Sequence, residues 1–244
     1  MIKIENFSKK YKPRSKNAFK IQNLSFTVNN GSITGLVGPN GSGKSTVIKA
    51  ICGFHYPTEG KIFISGNKSE AADITQTPEK AMELCGYVPE ISMLPPDIKV
   101  IDFLFYAAKC HKLSPELTKE RIKKVVDDFQ LSDLLNNLIK NLSKGQQQRV
   151  SFAQALIHNP PNLVLDEPIN GLDPSQIISF RDYVKELGKT KAILISTHIL
   201  NEVNNLCQNA FIMHQGKLYE IKNLEKIEEE YIEITKNEKK ENAL

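Results

Sequence analysis

The stretch Gly38-Pro39-Asn40-Gly41-Ser42-Gly43-Lys44-Ser45-Thr46 decides the fold of this chain. It matches G-x-x-x-x-G-K-[ST], the pattern of a phosphate-binding loop or P-loop. The apolar run at residues 33–37 predicts a buried strand before it, and residues 47–51 predict a helix after it. Glycines permit a tight turn whose N–H groups face phosphate oxygens, and the helix N-terminus favours anions. We therefore expect a nucleoside triphosphate here, with Lys44 at its β- and γ-phosphates and Ser45 on Mg²⁺.

The composition is that of an ordinary globular protein and excludes several function classes. Of the 244 residues, 40% are hydrophobic and 25% charged, so a sizeable core is expected. The net charge of +4 is too mild to indicate nucleic-acid binding. Apolar runs such as residues 101–108 are far shorter than the roughly 18 residues of a membrane span. Residues 1–6 contain no apolar h-region, so we expect no secretory signal, and four scattered cysteines favour a reduced, cytosolic protein.

The order of predicted elements indicates an α/β fold. Short strands are expected before the P-loop, at residues 2–4, 19–21 and 24–28, and again at 59–66 and 84–89. Residues 98–155 read as helices, one opening at Ser114-Pro115 and another at Ser143. Strands at 162–165 and 192–195 then flank a helix over roughly 174–187. Such strand–helix–strand alternation predicts a parallel sheet covered on both faces.

Two adjacent carboxylates, Asp166 and Glu167, follow the apolar strand 163–165. They are expected at the carboxyl edge of the sheet, where ligands of α/β proteins bind, and their separation from the P-loop allows neighbouring strands for the two motifs. Asp166 is suited to the Mg²⁺ shell, and Glu167 to orienting the attacking water or accepting its proton. Two acids after an apolar strand more often mark only the point where the strand leaves the core. The P-loop in the same chain favours the functional interpretation here. His198 also follows an apolar strand, and is as often structural as catalytic at such a position.

The segment Leu142-Ser143-Lys144-Gly145-Gln146 makes the chain resemble the ATP-binding-cassette (ABC) family, over residues 1 to about 220. The family signature reads L-S-G-G-Q, so Lys144 replaces its first glycine. The resemblance implies that Ser143, Gly145 and Gln146 contact, in trans, ATP held by a second subunit in a head-to-tail dimer. It also implies that Tyr11 stacks on adenine, that Asp173 of Gly171-Leu172-Asp173 meets the partner's P-loop, and that His198 lies near the γ-phosphate.

The same resemblance implies an architecture and a cellular setting. We expect a P-loop NTPase core with a mainly parallel sheet, an N-terminal antiparallel β subdomain and an inserted helical subdomain at about 97–158. The ATPase domain would span 1–221, followed by a charged tail at 222–244, either a solvated helix or frayed. Two such subunits, as a homodimer or heterodimer, would bind ATP and Mg²⁺ and act on separate integral-membrane permease subunits. The chain would then lie peripherally at the cytoplasmic face of the cell membrane.

One position departs from the family pattern. Gly86-Tyr87-Val88-Pro89 leads to Glu90, where most members have a glutamine that touches Mg²⁺ and water. We expect Glu90 either to join the metal shell or to form a salt bridge with a partner residue. This variant, LSKGQ and Asn170-Gly171-Leu172-Asp173-Pro174-Ser175-Gln176 together resemble the subfamily that powers type-two export permeases, including gliding-motility ATPases.

Two other functions fit this sequence less well than a transporter subunit. Soluble ABC ATPases that act on nucleic acid or ribosomes usually carry two tandem cassettes, coiled-coil insertions or zinc cysteines, and this sequence has none of these. A P-loop kinase or small GTPase would not explain LSKGQ, Asp173 or His198. We expect no direct nucleic-acid binding. A neighbouring gene that encodes about six apolar segments of spanning length would favour the transporter.

Overall fold

The computed structural model describes residues 1–10, 20–66 and 70–241. Its strands are β1 (Ile2–Lys10), β2 (Lys20–Val28), β3 (Ser32–Val37), β4 (Glu59–Ile64), β5 (Ala72–Asp73), β6 (Cys85–Val88), β7 (Asn162–Asp166), β8 (Ala192–Thr197), β9 (Asn209–His214) and β10 (Lys217–Glu220). Its α-helices are α1 (Lys44–Ile51), α2 (Pro78–Glu83), α3 (Val100–Cys110), α4 (Pro115–Asp128), α5 (Lys144–Leu156), α6 (Pro174–Gly188), α7 (Leu200–Leu206) and α8 (Ile227–Glu241).

The expected α/β architecture is confirmed. One sheet has the order β10-β9-β3-β8-β7-β6 and is parallel except for the β9–β10 hairpin. The other, β2-β1-β4-β5, is antiparallel. Every residue of β3, β7 and β8 is buried, as expected for central strands covered on both faces.

Side chains on the two faces of the central strands belong to two different hydrophobic cores. Leu36, Val164 and Leu194 face the antiparallel sheet and α1. Ile33 and Ile193, which alternate with them, belong to the core that includes side chains of α3 to α7. The parallel sheet is therefore the middle layer of the molecule, and its carboxyl edge lies between both cores.

Two local expectations were wrong. The strands expected at 19–21 and 24–28 are one strand over the described residues, because β2 pairs with β1 along its length across two register shifts. The P-loop strand and the Asp166 strand are not neighbours, since β8 lies between β3 and β7. Pairing of Val37 with Thr197 and of Asp166 with Ser196 nevertheless brings all three strand ends to one edge.

Helices α4 and α5 begin where the sequence signals place them. Ser114 caps α4 by accepting a hydrogen bond from the N–H of Leu117, with Pro115 at the first helical position. Ser143 opens α5 with a complete capping box. The charged C-terminal segment forms α8, whose Ile227 is buried and whose Tyr231 and Ile234 pack against the core beside α7 and β9. None of the helices in the described ranges is long and apolar enough to cross a membrane.

Candidate active site

The P-loop connects the end of β3 to α1, as its sequence predicts. Gly41 and Gly43 have φ angles of +80° and +113°, values that favour glycine, and Gly43 is the N-cap of α1. Within the described residues the hydroxyl of Ser42 is buried and has no hydrogen-bond partner. Backbone donors at a helix N-terminus and an unused hydroxyl suit a loop that holds phosphate oxygens.

A cleft of about 390 Å³ adjoins this loop and collects most of the predicted site. Glu90 and Glu167 enter the cleft from the ends of β6 and β7. The remaining lining comes from the P-loop and α1: Pro39, Asn40, Gly41, Gly43, Lys44, Ser45 and Thr46. Gly38 lies behind it, where a Cβ would sit 2.1 Å from the carbonyl oxygen of Met213, so only glycine fits there.

Glu167 is held at the carboxyl edge of the sheet by the end of β8. It has a φ of +47°, and its N–H donates to both the carbonyl and the hydroxyl oxygen of Ser196, each at 3.1 Å. The Ser196 hydroxyl in turn donates to Oδ1 of Asp166. One fully buried serine thus fixes both carboxylate residues, although no sequence motif singled it out.

Two side chains, those of Lys44 and His198, contact the Glu167 carboxylate. Its Oε1 lies 3.8 Å from Nζ of Lys44, and its Oε2 lies 2.9 Å from Nδ1 of His198. The Lys44 ammonium also donates to the carbonyl of Gly38 at 2.6 Å. The structure therefore brings together the P-loop lysine, the second acid and the histidine, which are 31 to 154 residues apart in sequence and were predicted independently to share this edge.

Burial shifts the pKa values of Lys44 and Asp166 in this charge cluster. Burial lowers the pKa of the Lys44 ammonium from its usual range, and the nearby carboxylates of Glu167, Asp166 and Glu90 offset part of that effect. Burial likewise raises the pKa of Asp166, which the hydrogen bond from Ser196 partly counteracts while the charge of Glu90 adds to the rise. A cation placed beside these carboxylates would relieve this electrostatic penalty.

The residues present fit Mg²⁺ bound together with a nucleotide. In the described chain, no group of three His, Cys, Asp or Glu side chains could hold a metal on its own. Mg²⁺ at phosphate sites takes most of its ligands from phosphate and water and needs only one or two from the protein. The Ser45 hydroxyl, the desolvated Asp166 carboxylate and Glu90 are available oxygen ligands on the walls of or beside the cleft.

The predicted in-trans residues form a second surface, outside the cleft. Ser143 and Gln146 cap each other at the start of α5, and Asp173 and Gln176 do the same at the start of α6. The two helix starts touch, since a Cβ on Gly145 would lie 2.9 Å from Oε1 of Gln176. Lys144 is the first residue of α5 and is exposed, without a positive φ, so its replacement of glycine causes no backbone strain there.

Two further residues remain, one that the sequence predicted for the site and one that it did not. Tyr11, expected to stack on adenine, lies outside the described residues. Gln148, which sequence reasoning passed over, is buried between α5 and the loops that follow β6 and β7. Its place two residues after the signature segment was the only sequence signal that could have drawn attention to it.

The family model for ABC transporters matches residues 21–170. Together with the P-loop at the sheet edge and the signature at the start of α5, this match shows that the chain belongs to the ABC transporter family. It is an ATP-binding subunit of that family and an ATPase.

Curated relatives agree with this assignment. The chain is 38% identical to an uncharacterized ABC transporter ATP-binding protein, YdbJ of Bacillus subtilis, over 81% of its own length and 62% of that protein's. It is 32% identical to the lipopolysaccharide export system ATP-binding protein LptB of Haemophilus influenzae, covering 89% and 88%. It is also 36% identical to the molybdate/tungstate import ATP-binding protein WtpC of Methanocaldococcus jannaschii, covering 89% and 69%.

A solved structure of an ATP-binding subunit of an ABC transporter shares the fold. It superposes with a TM-score of 0.79 at 29% identity, covering 91% of this chain and 90% of the other. The relatives thus include proteins named for export and for import, so the family alone does not fix a direction of transport.

Proposed function

We propose that the chain is the ATPase subunit of an ABC exporter, peripheral at the cytoplasmic face of the cell membrane. In this proposal, ATP-driven closure of a homodimer or heterodimer drives separate permease subunits. The convergence of Lys44, Glu167 and His198 at the end of the sheet is the observation that carries the proposal. This arrangement can hold a triphosphate, its metal and an attacking water in one small volume.

The chemistry assigned to the site is mainly positioning and charge stabilisation. Mg²⁺, bound with the nucleotide, would neutralise charge on the phosphate oxygens. Lys44 and the P-loop amides bind the β- and γ-phosphates. Glu167 orients the attacking water and accepts its proton, a role supported by its buried carboxylate and its contact with His198 at 2.9 Å. His198, whose side chain is about half exposed and contacts Glu167, would orient Glu167 and lie near the γ-phosphate.

The proposed dimer uses the surface at the starts of α5 and α6. Ser143 and Asp173 are exposed there, and both helix N-termini present partial positive charge. This surface contains Ser143, Gly145, Gln146 and Asp173, and in a head-to-tail dimer it would cover the nucleotide in the partner's cleft. The added charge of Lys144 suits a surface that meets phosphate.

A permease docking surface is supported by exposed apolar side chains beside the cleft. The Glu90 loop, residues 89–93, follows β6 and carries Ile91 and Met93, which are 72% and 86% exposed. The apolar surface extends to Phe54, 66% exposed, whose ring packs at 5.5 Å from that of Tyr87 in β6. Burying such side chains would contribute about 1.5–3 kcal/mol each, enough to favour a protein partner. Because Glu90 also lines the cleft, a partner seated here would touch a loop of the ATPase site.

Export, rather than import, is supported by the combined variants at Glu90, Lys144 and residues 170–176, which resemble exporters of the type-two class. The relative LptB is named for an export system, and import is the competing direction. Pull-down of the tagged chain from membranes, with identification of the integral-membrane protein recovered, tests this proposal. Recovery of an importer-type permease, or of no membrane protein, would contradict it.

Dimer closure has its own test in Glu167→Gln. This variant should bind ATP, hydrolyse it very slowly and accumulate as a dimer on size-exclusion chromatography with ATP and Mg²⁺. Adding Ser143→Ala to it should shift the dimer back toward monomer, because the partner's phosphate loses a contact. A Glu167→Gln protein that binds ATP but stays monomeric would refute the head-to-tail sandwich.

A further inference from the structure

The side chain of Gln148 joins two loops that are 76 residues apart in sequence. Its Oε1 accepts a hydrogen bond from the Ser92 hydroxyl at 2.8 Å, and its Nε2 donates to the carbonyl of Pro168 at 3.3 Å. Gln148 lies in the second turn of α5 and is 5% exposed. A buried amide that uses its donor and its acceptor on different segments fixes the distance between them.

Each of these two loops has a role in the proposed mechanism: one would contact the permease, and the other follows Glu167. Ser92 belongs to the Glu90 loop and lies between the exposed side chains Ile91 and Met93. Pro168 directly follows Glu167, whose backbone adopts the left-handed conformation. Since proline has no N–H, its carbonyl is the one polar backbone group by which this position can be held. That carbonyl needs a hydrogen-bond donor to hold it, and Gln148 supplies one.

We propose that Gln148 is a positioning residue for ATP hydrolysis. It holds the Pro168 side of Glu167 in place, while Ser196 holds the other side, and it transmits movement of the Glu90 loop to Glu167. The inference rests on the proposed roles of Glu167 and of the Glu90 loop. Glutamine is required because leucine offers neither bond, whereas glutamate could accept from Ser92 but would repel the carbonyl of Pro168.

The first experiment measures kcat and KM for Mg-ATP with the full chain, without a partner. Gln148→Leu should lower kcat about tenfold or more and leave KM within about twofold, because a small displacement of Glu167 slows chemistry while the P-loop is untouched. Gln148→Glu should show the same pattern, and it keeps a polar group if the leucine variant folds poorly.

The matched control is Gln147→Leu, one residue earlier on the same helix. Among the described residues, the Gln147 amide donates to the carbonyls of Ile139 and Leu142, within the helical region, and not to the two loops that Gln148 joins. It should lower the melting temperature at least as much as Gln148→Leu while keeping kcat within about twofold. Equal loss of kcat in the two variants, or wild-type kcat in both Gln148 variants, would overturn the proposal.

The second experiment breaks the other end of the bridge. Ser92→Ala should reduce the ATPase rate stimulated by the recovered membrane partner more than the basal rate, and Ser92→Thr, which keeps the hydroxyl, should restore it. Equal effects of Ser92→Ala on both rates would refute transmission through Gln148.

The Glu167→Gln variant separates the possible failures. If it hydrolyses ATP at the wild-type rate, the proposed role of Glu167 fails. If it is inactive while Gln148→Leu has wild-type kcat, only the bridge fails.

Discussion

Ser196→Ala tests how much one buried hydroxyl contributes to the paired acids. The Ser196 side chain is fully buried, donates to Asp166 and accepts from the N–H of Glu167 at 3.1 Å. The substitution removes one oxygen and adds no group, so packing changes little. The N–H of Glu167 keeps its bond to the Ser196 carbonyl, which leaves Asp166 as the group that loses most.

The magnitude follows from the charge on Asp166. A hydrogen bond to a charged group contributes about 1.5–3 kcal/mol, so we expect a loss of roughly 2 kcal/mol at pH 7. For a chain of this length that corresponds to a fall of about 4–8 °C in melting temperature. The effect should depend on pH in a defined direction. The bond lowers the pKa of Asp166, so its removal raises that pKa further and penalises the folded state where the carboxylate is ionised.

Thermal unfolding of the nucleotide-free protein, with a chelator present, measures both the loss of stability and its dependence on pH. The loss for Ser196→Ala should be greatest near neutral pH and should shrink toward pH 4, where Asp166 becomes neutral and the bond is worth only about 1 kcal/mol. Thr197→Val is the matched control, because the Thr197 hydroxyl accepts from the N–H of Ile199 and contacts neither acid. Its effect should not vary with pH.

Two results would refute this reasoning. A loss below about 0.5 kcal/mol would mean that the hydroxyl is not a significant partner of Asp166. A loss as large at pH 4 as at pH 7 would mean that the ionised carboxylate is not what the hydroxyl stabilises.

Three other predictions concern neighbouring groups. Lys44→Ala should abolish ATP binding, measured by equilibrium titration, because the Lys44 ammonium is the cation buried at the P-loop; retained micromolar binding would contradict the P-loop assignment. Asp166→Asn should raise the melting temperature of the nucleotide-free protein at pH 7. Burial raises the pKa of Asp166 in the folded state, so wild-type stability falls as pH rises above about 3.8, and the gain should vanish as pH drops below that value. Destabilisation at pH 7 would show that the ionised acid is favourably held. Glu90→Gln should raise the Mg²⁺ concentration at half-maximal ATPase rate, since a neutral amide replaces a carboxylate on the cleft wall. An unchanged Mg²⁺ midpoint, together with unchanged stimulation of the ATPase rate by the partner, would mean that Glu90 has no role in metal binding.

The sequence by itself determined the local features of this protein. The P-loop, the caps at Ser114 and Ser143, and the acids that end a buried strand all depend on residues within a few positions of one another. Phosphate binding by a P-loop uses backbone groups of a single turn, so its signal is contained in nine consecutive residues. The family signature likewise lies in one helix start.

The tertiary structure alone decided which distant residues share the active site. Strand order is set by the packing of both faces of the sheet, and periodicity within a strand says nothing about its neighbour, so the insertion of β8 between β3 and β7 was not predicted. That insertion is what gives Ser196 its contacts with Asp166 and Glu167, and it is why no motif identified this serine. Gln148 escaped prediction for the same reason, because a glutamine in a helix becomes a link only when two loops fold against its amide.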